Sequence, residues 1–236
     1  MESLVSYELS EGVATITLND GKVNVLGFAM QEALNAALDK AEADQAVVVL
    51  TGNAKVFSAG FDLAVMKAGG PNVPKMMTGG GKIGERLLSF PRPVVLAVNS
   101  HAMAMGAILL MCADLRIGSD AGIKVQLNET AIGMVLPHFA IALAHNRLSI
   151  KWRNRALVQA EGLDAHKAVE AGFLDEVAPA ANFLAYAQER AKGLAALHGA
   201  SFVATRKRLN ERLLADLTVA GERDAKEWTQ IFGAFQ

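Results

Sequence analysis

Short β-branched runs alternate with stretches of helical periodicity through the first half of the chain. Apolar residues cluster or alternate over 13–18, 46–51 and 93–98, which predicts strands, and recur at three- and four-residue spacing over 28–43 and 82–89, which predicts helices. That alternation predicts parallel βαβ-type units, and by itself it reads as a doubly wound α/β fold. Asp20-Gly21 marks a turn after the first strand, and Gly69-Gly70-Pro71 and Gly79-Gly80-Gly81 are expected to bracket a mobile loop. After a strand over 123–127 the pattern becomes helical, at 138–147, 151–161, 165–171, 182–197 and 201–218, with one short strand over 173–177 placed after the helix-closing Gly172.

One segment needs a separate decision. The run over 94–113 is nearly apolar and long enough to span a bilayer, but Asn99-Ser100-His101 interrupts its middle, where unpaired polar groups would be costly. The expectation is a buried strand over 94–98, a polar turn, and a buried helix over 103–112.

With 236 residues, 52% hydrophobic and 20% charged, the chain has enough apolar surface for a sizeable core. A formal net charge of −1 gives no general attraction for phosphate backbones or anionic lipid, so neither nucleic acid nor a membrane is expected as a partner. The lone Cys112 sits in an apolar run, reads as a buried inert thiol, and fits a reducing cytoplasm. The N-terminus carries acids where a secretory signal needs a basic start, so no export is expected. No His/Cys/Asp cluster has metal-ligand spacing, and dinucleotide and P-loop patterns are absent from the sequence.

Four segments carry candidate chemistry. Lys55-Val56-Phe57-Ser58-Ala59-Gly60-Phe61-Asp62-Leu63 follows a buried strand and is rich in small residues that let a ligand approach the backbone. Asn99-Ser100-His101-Ala102-Met103-Ala104-Met105-Gly106-Ala107 turns a strand into a helix and leaves free amides at the helix start. Two such loops can form an oxyanion hole, although turns of this kind also occur for packing alone. Asn128-Glu129-Thr130-Ala131-Ile132-Gly133 places a carboxylate after an apolar strand, where its pKa rises and it becomes a stronger base toward carbon acids; the plain alternative is an exposed strand-end acid. Lys22-Val23-Asn24-Val25-Leu26 completes the set.

In order and spacing these segments resemble the crotonase (enoyl-CoA hydratase/isomerase) family over residues from about 13 to 179. The resemblance implies an α/β spiral of ββα units at 1–180 that carries the acyl-CoA site. It also implies a helical region at 181–236 that packs subunits into a trimer, often paired into a hexamer. Within that resemblance the backbone N–H groups of Phe61 and Met105 form the oxyanion hole, Lys55 faces a CoA phosphate, Ala59 holds the adenine, and Val23 flanks the pantetheine arm. CoA is part of the substrate and no separate cofactor is implied.

Glu129 is the implied catalytic base. Hydratases of the family place a first glutamate where this chain has Ile108, so one carboxylate is visible where water addition is best served by two. That leans toward Δ3,Δ2-enoyl-CoA isomerisation, with hydration or a silent CoA-binding subunit as alternatives. Glu85 or Asp62 is a candidate second acid. A departure in the turn Leu136-Pro137-His138-Phe139 puts His138 at the border of the acyl pocket, and Met105, where relatives often have glycine, is expected to narrow that pocket.

Overall fold

Glu11 and Gly12, both at positive φ (50° and 75°), close the two-residue turn of a hairpin between β1 (Val5–Ser10) and β2 (Val13–Leu18). The computed structural model describes residues 3–232. From β2 the chain runs through α1 (Phe28–Ala43), β3 (Val47–Thr51), β4 (Val56–Ser58), α2 (Leu63–Ala68) and α3 (Asn72–Ser89). It continues through β5 (Val94–Val98), β6 (His101–Met103), α4 (Met105–Leu110), β7 (Leu115–Ser119) and β8 (Val125–Gln126). The remainder is α5 (His138–Arg147), α6 (Ile150–Arg153) with a π-helical extension, α7 (Ala165–Ala171), β9 (Glu176–Ala178), α8 (Phe183–Ala195) and α9 (Gly199–Phe232).

Six strands form one sheet in the order β1-β2-β3-β5-β7-β9, parallel after the opening hairpin. The short strands β4, β6 and β8 form a second, parallel sheet. Each turn of chain therefore gives one strand to each sheet and then a helix: β3-β4-α3, β5-β6-α4, β7-β8-α5. This is the ββα spiral. The doubly wound reading is corrected, because strand order advances in one direction and never reverses, so the large sheet has no switch point.

The space between the sheets and helices is filled by one core that includes Leu34, Leu50, Phe57, Leu96 and Leu110. The other face of the large sheet, with Val47, Val49, Val95 and Ile117, is covered by Phe183, Ala187 and Ala191 of α8. The long helix α9 lies against α3 and α5, and its Leu213, Leu217 and Trp228 join the main core.

The glycines at 79–81 do not bound a loop. α3 runs through them, and they are there for close packing: a methyl on Gly80 would stand 2.5 Å from the Phe61 ring, and one on Gly79 would collide with the Gln31 side chain. The apolar run from Val94 folds as β5, β6 and α4, and among the described residues no helix is long and apolar enough to cross a membrane. Cys112 is buried, and burial pushes its thiol up to about 12.

Candidate active site

Asn24 is the hidden anchor of the site, and sequence reasoning assigned it no role. Fully buried at φ 52°, it donates from Nδ2 to the carbonyls of Leu18 (2.9 Å), Val56 (3.1 Å) and Phe57 (3.1 Å). Its Oδ1 accepts from the Asp20 amide at 3.0 Å and from Asn53 Nδ2 at 3.1 Å. One side chain thus ties the turn after β2 to β4. Asparagine is among the residues that tolerate its positive φ, but the carbonyls it bonds on β4 lie 32 and 33 residues further on.

That tie aligns the segment after β4. The Ala59 amide donates to the Val23 carbonyl (2.9 Å), the Leu26 amide to the Gly60 carbonyl (2.8 Å), and the Ser58 hydroxyl to the Asn24 carbonyl (2.8 Å). Gly60, at φ 93°, is where the two amide-bearing loops meet: a Cβ there would lie 2.7 Å from Ala104 Cβ and 3.0 Å from the Met105 nitrogen. Only a glycine permits that approach.

On the other loop, β6 is held between β4 and β8, with the Ala104 amide donating to the Gln126 carbonyl at 2.9 Å. Ala104 then adopts φ 49°, ψ −124°, a conformation costly for a residue with a Cβ, and starts α4 with Met105 as its first residue. The first amides of a helix have no intrahelical acceptor. Among the described residues neither the Phe61 nor the Met105 amide donates to a protein group, and the two loops that carry them touch.

Glu129 arrives three residues after Gln126, so it enters beside β6. It is 6% exposed, and its Oε2 has no hydrogen-bond partner among the described residues. Its carbonyl is occupied by the amides of Ile132 (3.1 Å) and Met134 (2.8 Å), which fix the backbone in a tight turn. Burial pushes its carboxyl up to about 7, from an ordinary 4.5, with no cation compensating. A buried carboxyl poised near neutrality, with one oxygen left unpartnered among the described residues, can take up and release a proton.

The other candidates scatter around this centre. Val23 and Lys55 are exposed, Ala59 is half-buried, and the Lys55 carbonyl accepts from the Ser100 hydroxyl at 2.8 Å. Ile108 is buried in the core beside Met105 and Cys112. The Met105 side chain is buried against α3 at Gly80 and lines no part of the large cleft beside the site. His138 caps nothing itself: its amide donates to Asp224 Oδ1 (2.7 Å) and its Nε2 sits 2.9 Å from Glu227 Oε1, so it joins α5 to α9. Asp62 accepts from the Ala64 amide as the N-cap of α2, and Glu85 is exposed on α3.

Spiral and site together define a crotonase-fold protein. Residues 8–234 match the model of the enoyl-CoA hydratase/isomerase family, and the chain belongs to that family. A probable enoyl-CoA hydratase of Rhodobacter capsulatus is 31% identical over 86% of this chain and 79% of its own. The apo enoyl-CoA isomerase of Mycobacterium tuberculosis is 39% identical, with TM-score 0.92, over 96% of this chain and 100% of its own. A structure of the probable enoyl-CoA hydratase EchA3 of the same organism is also 39% identical, with TM-score 0.93, over 97% of each chain.

Proposed function

We propose that this chain catalyses Δ3,Δ2-enoyl-CoA isomerisation, with Glu129 as the proton-carrying base and the Phe61 and Met105 amides as the oxyanion hole. The observation that carries this reading is the Glu129 carboxyl, buried, unpaired at Oε2 and pushed up to about 7.

The chemistry follows from charge. Glu129 removes a proton from C2 of a 3-enoyl thioester, and the electron pair moves onto the thioester oxygen to give a dienolate. Two preorganised amides stabilise that oxygen more strongly than the neutral carbonyl. Glu129 then returns the same proton to C4, leaving the double bond between C2 and C3. No water enters, and one carboxylate suffices.

Lys55, exposed just before β4, would pair with a CoA phosphate. The main chain at Ala59 would hold the adenine and the turn at Val23 would flank the pantetheine arm, a pairing supported by the Ala59 amide donating to the Val23 carbonyl. Hydration would require a second acid to hold water. The apolar, buried Ile108 disfavours it, and Asp62 is committed to capping α2. Glu85, which borders a small cavity with Met105 and Ile108, is the acid through which the hydratase alternative would act. Residues 181–236, of which 233–236 lie outside the described residues, are read as the subunit-packing region of a homotrimer or dimer of trimers, a reading supported by Leu209 standing exposed on α9.

The test is Glu129→Gln. Loss of general acid–base catalysis is expected to lower kcat by about 10²–10⁴-fold while acyl-CoA binding persists. Full turnover in the variant would exclude the mechanism.

A further inference from the structure

Little of the regular structure holds Glu129 directly. It follows β8, a strand of two residues, and opens a three-residue turn, and its Oε2 has no partner among the described residues. A carboxylate that hangs from so short a ladder has to be placed by the groups that grip its backbone on either side.

Its flanking residues supply two grips on one support. Before it, Gln126 donates from Nε2 to the Ala160 carbonyl at 2.6 Å; after it, Thr130 donates from Oγ1 to the Val158 carbonyl at 3.1 Å. β8 is an edge of the small sheet, and the chain that carries both acceptors also covers that edge. Val125 and Leu163 exchange amide-to-carbonyl hydrogen bonds there, each of 2.9 Å.

The support is shaped to present those carbonyls. α6 ends in a π-helical turn, Asn154–Val158, closed by the Gln159 amide donating to the Asn154 carbonyl at 3.1 Å. Ala160 then takes φ 50°, positive for a residue with a Cβ. Carbonyls at a helix end lack an intrahelical donor, so those of Val158 and Ala160 are free to accept from side chains. Arg155 stiffens the turn: its guanidinium lies 3.9 Å from the centre of the buried Trp152 ring and bonds both carboxylate oxygens of Glu161 at 2.6 Å. π-turns and positive-φ residues other than glycine are uncommon, and both concentrate at functional sites.

Gln126 reaches the other half of the centre as well. Its carbonyl accepts from the Ala104 amide (2.9 Å), one residue before Met105, and it pairs with Met103 between β6 and β8. The base segment and the amide loop are thereby set against the same support.

We propose that Gln126 and Thr130 are positioning residues, which fix the Glu129 carboxylate against the π-helical end of α6 and in register with the Met105 amide. This rests on the reading of Glu129 as the base. One carboxyl has to reach both C2 and C4, so a displacement of about 1 Å weighs on both proton transfers and costs on the order of 10²-fold.

Gln126→Leu and Thr130→Val each remove one donor, and Thr130→Ser keeps it. In the first two, kcat on a 3-enoyl-CoA is expected to fall by about 10–10²-fold with KM within about threefold of the parent, whereas Thr130→Ser stays within about threefold on both. A second readout is NMR titration of isotope-labelled glutamate carboxyls, with the Glu129 signal assigned by its loss in Glu129→Gln. The parent is expected to titrate at about 7 and both donor-deleted variants lower, toward the ordinary 4.5, because a loosened carboxyl reaches water.

An unchanged kcat and titration in either donor-deleted variant would overturn the two-point support. So would a lowered kcat with the Glu129 titration unmoved, since general destabilisation acts that way. The two readings fail separately. If the titration moves in both variants but the parent isomerises no 3-enoyl-CoA, the isomerase assignment falls and the positioning stands. Isomerisation at the parental rate by both variants does the reverse.

Discussion

Exchanging Glu129 for glutamine should stabilise the protein, and the gain should grow with pH. Glutamine keeps the shape of the side chain and removes its ionisation. The glutamate is buried without a cation, and its pKa rises from 4.5 to about 7 on folding. Because the folded value is the higher one, the favourable contribution of the protonated carboxyl is fully present below pH ~4.5 and is lost as pH rises through about 7. Once ionised in the fold, the group costs roughly 3 kcal/mol relative to the unfolded chain, and only 6% of the residue is exposed to soften that cost. Between pH 5 and pH 8 the stability difference between Glu129→Gln and the parent should therefore widen by about 2.5 kcal/mol. Equilibrium urea unfolding at fixed protein concentration, repeated across that range, measures it. A difference that stays flat with pH would mean that Glu129 is solvated or paired, and would remove the basis for treating it as a poised base.

Gly60→Ala should lower kcat by about 10²-fold, the scale of a misplaced oxyanion donor, because a methyl there meets Ala104 Cβ at 2.7 Å and the Met105 nitrogen at 3.0 Å; steady-state kinetics with a folded variant checks it. Asp224→Ala should cost about 2 kcal/mol in urea unfolding, since the buried carboxylate accepts from the His138 (2.7 Å) and Phe139 (3.0 Å) amides and its loss strands both at the start of α5. Asp224→Asn keeps an acceptor and should recover part of that loss.

The strands of the large sheet that carry continuous β-branched runs were readable from sequence, as were α1, α5 and α7. Their burial is one-sided or complete. β1 was missed because Val5 alone of its six residues is buried, so an exposed edge strand resembles a loop. β7 was missed because Arg116 and Gly118 break its apolar run. The arginine is tolerated there through Asp175, 59 residues away, which accepts from its Nε at 2.9 Å. Strands of two and three residues, as in the small sheet, have no period to detect.

The candidate site was legible as a set of segments but not as an arrangement. Glu129 stood out by following an apolar strand, whereas the missing partner of its Oε2 exists only in three dimensions. His138 was expected beside an acyl pocket. Its side chain pairs with Glu227, which lines the cleft together with Leu136 and Pro137, a cross-chain contact 89 residues away that the local turn does not reveal. The anchoring role of Asn24 depends on carbonyls 32 and 33 residues later, which no local pattern announces.

The central claim is one-carboxylate double-bond migration, and product analysis tests it most directly. Purified protein would be incubated separately with 3-enoyl-CoA and 2-enoyl-CoA of eight carbons, and the thioesters separated by chromatography. Interconversion of the two double-bond positions without 3-hydroxyacyl-CoA is the predicted result. Rapid formation of 3-hydroxyacyl-CoA from the 2-enoyl thioester would contradict it and would place a second acid in the site.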